Sequence, residues 1–174
     1  MAHLKKLLLL ALALQLVNSQ RDLPSKRANE GDYPYQVQLR IVSTNGKDPP
    51  AQHCGGAILN TYLVLTAAHC VYPYIQNDNL DQIEVVAGEH DLKKQSGHEQ
   101  VVQIHEAFVH KNYGLGAKID DIALLLLRPE LNFNEFVKSI PIPKNVSNTG
   151  NATLSGWGRR SHGSKSVTTT THWN

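Results

Sequence analysis

Short stretches of β-forming residues, set apart by turn signals, constrain this chain more than any other feature. Tyr33 to Val42 alternates around Val37, Leu39 and Ile41, the period of two that turns one face of a strand into a core. Asn45-Gly46 and Pro49-Pro50 then break the chain. Ala57 to Thr66 reads as one strand, and Ile83 to Ala87 as another, turned by Gly88. Val101 to Val109 alternates again. Ile122 to Leu127 is a continuous apolar run, the pattern of a strand buried on both faces, and Pro129 ends it. Strands of this kind with turns between them predict a small all-β barrel.

A chain of 174 residues suggests one domain, and a 41% hydrophobic composition is enough for a core. Residues 1–19 read as a secretory signal: Lys5 and Lys6 open it, Leu7 to Leu14 form its apolar centre, and Val17-Asn18-Ser19 is the exit, with cleavage after Ser19. The apolar run is shorter than the roughly 20 residues a membrane span requires. Loss of Lys5 and Lys6 takes the 17 basic residues to 15, equal to the 15 acidic ones. No basic block points to nucleic acid, and no other segment points to a membrane. The expected location is secreted, extracellular. In that oxidising compartment Cys54 and Cys70, the only two cysteines, can pair and fix the neighbouring His69 against the strand carrying Cys54. The alternative is two buried free thiols.

Four runs carry more specific information. They are Cys54-Gly55-Gly56-Ala57-Ile58, Leu65-Thr66-Ala67-Ala68-His69-Cys70, Asp121-Ile122-Ala123-Leu124-Leu125 and Leu154-Ser155-Gly156-Trp157-Gly158. This set resembles the chymotrypsin/trypsin family of serine endopeptidases, and His before Asp is the chymotrypsin order. The resemblance implies a trypsin-like antiparallel β-barrel. The N-terminal barrel is expected complete over residues 33–140, after an activation region and lead-in over 20–32. Residues 141–158 would be a linker and the first strand of a second barrel that is otherwise mostly absent, and 159–174 an unrelated low-complexity tail.

The chemistry implied is peptide-bond hydrolysis. A hydroxyl becomes a nucleophile only when a neighbouring base accepts its proton, and imidazole suits that task near neutral pH. A carboxylate on the other ring nitrogen holds the tautomer and orientation. By resemblance His69 is the general base and Asp121 the orienting carboxylate; Asp120 competes but stands one step further from Ile122. The family's nucleophile lies in a Gly-Asp-Ser-Gly-Gly run, which does not occur in these 174 residues. Ser155 belongs to the Ser-Gly-Trp-Gly strand, and Ser161, Ser164 and Ser166 lack the Asp and Gly-Gly that build the tight turn. The chain as written is therefore expected to be inactive. The rival readings are a secreted non-catalytic homologue that binds a protein partner, and a non-functional truncated product whose strand over 152–158 leaves its edges unpaired.

Weaker signals complete the reading. Arg21 is the candidate activation cleavage site, but the new terminus would start at Asp22 where the family has an apolar Ile; Lys26-Arg27 is a second basic site. Glu89 to Glu99 resembles the calcium loop of trypsins, with Glu89 and Glu99 as candidate ligands and Ser96 where a further Glu is expected. No other cofactor is implied. Asn145 and Asn151 fit the glycosylation pattern. His90, His98, His105 and His110 form no zinc spacing and read as surface residues. The partners implied are protein or peptide substrates, a protease inhibitor, or the missing second barrel.

Overall fold

The structure is a computed structural model that describes residues 25–114, 120–143, 153–158 and 171–173. The expected signal sequence, Arg21, Asp22, Asn145, Asn151, Ser161, Ser164 and Ser166 lie outside the described residues. In chain order the strands are β1 (Ser25–Arg27), β2 (Gln36–Ile41), β3 (Ala51–Asn60), β4 (Leu63–Thr66), β5 (Ile83–Ala87), β6 (Gln100–Val109), β7 (Ala123–Arg128), β8 (Leu154–Gly156) and β9 (Thr171–Trp173). Strands β2 to β7 close into an antiparallel barrel in the order β2-β3-β4-β7-β6-β5. The all-β reading therefore holds, as a closed six-stranded antiparallel barrel.

Alternation along each strand builds the core. Val37 and Leu39 of β2, Ile83, Val85 and Ala87 of β5, and Ala123, Leu125 and Leu127 of β7 all point inward and are buried. Each of the larger aliphatic side chains contributes about 1.5–3 kcal/mol through lost contact with water. Gly56 of β3 sits where an added Cβ would come within 2.8 Å of the Leu65 carbonyl oxygen, so the close passage of β3 over β4 needs a residue without a side chain.

The structure departs from the sequence reading in three places. Ala57 to Thr66 is a hairpin rather than one strand, because the Asn60 side-chain oxygen accepts the backbone N–H groups of Tyr62 and Leu63 and turns the chain there. The apolar run before Pro129 is buried on one face only. Strand β7 alternates between core positions and half-buried ones at Leu124 and Leu126, and Ile122 lies before the strand and is exposed. Finally, one edge of Leu154–Gly156 is covered rather than bare: β9 pairs with it and, on its own far side, with β1, while β8 stays an edge strand of that three-stranded sheet. Trp157 is buried and its Nε1–H donates to the His90 carbonyl at 3.1 Å, docking this segment against the barrel.

Candidate active site

The register of one strand pair brings the two central residues together. In the antiparallel ladder between β4 and β7, Thr66 is paired with Ala123. The chain running on past Thr66 and the chain running up to Ala123 therefore leave the same end of the barrel. The first carries His69, on a 3-10 turn over Ala68–Cys70. The second carries Asp121. Ile122 donates its N–H to the Asp120 carbonyl at 2.8 Å, which makes Asp121 the apex of a three-residue turn. Asp120 holds a positive φ of 61°, a conformation that costs a non-glycine residue roughly 1–2 kcal/mol and that aspartate tolerates better than most.

The Asp121 carboxylate takes two hydrogen bonds from His69. The backbone N–H donates to Oδ1 at 2.8 Å, and ring Nδ1 lies 2.7 Å from Oδ2. A carboxylate accepts only, so Nδ1 carries the proton and Nε2 presents its lone pair when the ring is neutral. The backbone N–H of His69, then its ring, hold the Asp121 carboxyl below the usual aspartate range. Asp120, the competing carboxylate, turns away and stands 3.6 Å from His110 Nδ1. The site is open: the His69 side chain is 59% exposed and that of Asp121 30%.

Cys54 and Cys70 form a disulfide. It anchors the 3-10 turn to β3, and the free-thiol alternative is set aside. His69 Nε2 lies 3.5 Å from Cys70 Sγ and 3.9 Å from Cys54 Sγ. Cys54, His69 and Cys70 thus converge as three potential metal ligands, but the bond between the sulfurs removes the thiolates a metal requires. Nor does a disulfide sulfur carry a proton to fill the Nε2 lone pair. Ser155, the one late serine among the described residues, donates its hydroxyl to Gln36 Oε1 at 2.7 Å rather than approaching His69.

The loop from Glu89 to Glu99 closes on itself. The Glu99 carboxylate accepts from Ser96 N–H at 2.6 Å, Ser96 Oγ–H at 3.0 Å and Gly97 N–H at 2.9 Å. Burial pulls the Glu99 carboxyl up, but these donors outweigh it and leave it below its ordinary range. Glu89 goes the other way. Burial, then the Glu99 charge, push it up, although His90 N–H donates to Oε1. Calcium needs about 6–8 oxygens free to turn toward it. Here Glu99 and Ser96 are committed to each other, so the described residues do not fit a calcium cage.

His110 reads from sequence as a surface histidine. In the fold it touches the turn that bears Asp121, a relation that only the β6–β7 register could reveal.

A closed six-stranded barrel with His69 and Asp121 hydrogen-bonded at one end defines a trypsin-like protein. The trypsin family model matches residues 24–173, and the chain belongs to that family. The matched span reaches past Gly158, where the motif resemblance stops, and takes in β9. Among similar proteins, chymotrypsin-2 of Vespa crabro is 38% identical over 136 residues, covering 76% of this chain and 54% of that protein. Trypsin-1 of Astacus astacus is 33% identical over 134 residues, covering 76% and 55%. The venom peptide isomerase heavy chain of Agelenopsis aperta is 34% identical over 146 residues, covering 83% and 58%. The chain spans about half the length of the curated relatives it matches.

Proposed function

We propose that this chain carries the proton-handling half of a secreted serine endopeptidase. His69 is the general base and Asp121 the carboxylate that orients it. The reading rests above all on the 2.7 Å approach of His69 Nδ1 to Asp121 Oδ2. With the proton held on Nδ1, Nε2 accepts the proton of an attacking hydroxyl; Asp121 then stabilises the imidazolium until the proton passes to the leaving amine. The hydroxyl and the donors for the developing oxyanion come from outside these 174 residues. The substrates are proteins or peptides, as the names of the trypsin and chymotrypsin relatives suggest.

Secretion is supported by the charged and apolar order of residues 1–19 and by the disulfide, which persists in oxidising compartments. Among the described residues, no helix is long and apolar enough to cross a membrane. Arg21 is the proposed activation cleavage site, and Asn145 and Asn151 the proposed glycosylation sites.

A fluorophosphonate probe tests the inactivity of the chain by itself. We expect no serine of the purified chain to be labelled. Covalent labelling of any serine would show a nucleophile within these residues and overturn the reading.

A further inference from the structure

We propose that His110 is a positioning residue for Asp121, a role that rests on the proposed pairing of His69 with Asp121. The two neighbours of Asp121 in the chain are both tied to His110. On one side, the His110 backbone N–H donates to the Ile122 carbonyl at 3.0 Å. This bond carries the β6–β7 ladder one step beyond its last strand pair, Val109 with Ala123. On the other side, the His110 ring Nδ1 stands 3.6 Å from Asp120 Oδ2. Between these two holds lies the turn with Asp121 at its apex, closed by the bond from Ile122 N–H to the Asp120 carbonyl.

The turn needs such a hold. Asp120 sits at φ 61°, outside the regions that ordinary residues favour, and such backbone persists only where its surroundings over-determine it. If residue 120 relaxed toward negative φ, the peptide leading into Asp121 would rotate and swing the carboxylate away from His69. The His110 ring opposes that rotation. It does so with a proton on Nδ1, which donates toward Asp120 Oδ2; with a lone pair on that nitrogen the ring accepts the Asn112 N–H, 3.4 Å away, and the backbone bond to Ile122 alone holds the turn. Both side chains of the pair are 38% exposed, so their removal leaves the core intact.

The test reads the His69–Asp121 bond without any need for hydrolysis. In the 174-residue chain, proton NMR with nitrogen-15-labelled histidine reports the low-field Nδ1–H of His69. We expect that resonance in the unaltered chain and its loss in Asp121→Asn. In His110→Ala and in Asp120→Asn we expect it to broaden or vanish through faster exchange with water, while the thermal midpoint changes little. A folded Asp120→Asn or His110→Ala with an unaltered low-field resonance overturns the role of His110; if His110→Ala fails to fold, Asp120→Asn decides alone. A different result, in which the unaltered chain shows no such resonance and Asp121→Asn leaves the His69 nitrogen shifts unchanged, overturns the His69–Asp121 reading itself and this inference with it.

Discussion

The Asp121 carboxylate grips His69 at two points, the backbone N–H and the ring Nδ1, at 2.8 and 2.7 Å. One side chain therefore fixes both where the 3-10 turn lies and which way the imidazole faces. Removing it should disturb the local fold as well as the tautomer.

Acid titration checks that double hold. The folded-state value of Asp121 is depressed, so its ionised form adds stability above the ordinary value of 3.8, and that stability is lost as pH falls through the depressed value. Asp121→Asn should have a lower thermal midpoint than the unaltered chain at neutral pH. The gap should hold down to about pH 4 and close below it. A gap that stays constant to the lowest pH at which both proteins fold would contradict this.

The disulfide supports the same turn from the other side. Cys54 and Cys70 are 16 residues apart, and closing a loop of that size stabilises by about 3 kcal/mol in the chain-entropy account. The double variant Cys54→Ser, Cys70→Ser should lose close to that amount in denaturant unfolding under non-reducing conditions. The unaltered chain in strong reductant should fall to the same level.

Gly88 ends β5 at φ 75°, where an added Cβ would collide with the His98 carbonyl. Gly88→Ala therefore incurs both a backbone penalty and a steric one. We expect a loss of at least about 2 kcal/mol by denaturant titration. Ala at Gly97, where the added Cβ meets nothing, isolates the backbone part and should cost less.

Glu89 and Glu99 give an opposite pair of outcomes. Burial, and then the charge of Glu99, raise the Glu89 carboxyl, so its ionised form penalises the folded state. Glu89→Gln should stabilise at neutral pH, read as a higher thermal midpoint than that of the unaltered chain. The gain should shrink as pH falls through the raised value and vanish below the ordinary 4.5. Glu99→Ala should destabilise, because it strips the acceptor from Ser96 and Gly97. Since Glu99 already closes the loop, a chelator should leave the thermal midpoint of the unaltered chain unchanged.

The barrel was legible because alternation is local. Val37 and Leu39, or Val85 and Ala87, declare their inward faces within a few residues. The turn at Asn60 was not, since it depends on one side chain capping two N–H groups inside a run of β-formers. The half-exposed outer face of β7 escaped for a related reason. Leucine at Leu124 and Leu126 gives no sign of which face is covered. The pairing of β8 with β9 joins segments far apart in a polar stretch without periodicity. At the site, the meeting of His69 and Asp121 followed from family motifs, whereas His110 carries no motif. Its place is set by where the β6–β7 ladder happens to end.

The pairing of Thr66 with Ala123 acts as a ruler for the chemistry. Adjacent strands stand about 4.8 Å apart whatever their side chains, so main-chain spacing brings the two turns to one rim, and the turn at Asp120 and the disulfide then set the gap between imidazole and carboxylate. A slip of β4 against β7 by a single residue could not be absorbed. It would turn core leucines to water and pull base from carboxylate in one step.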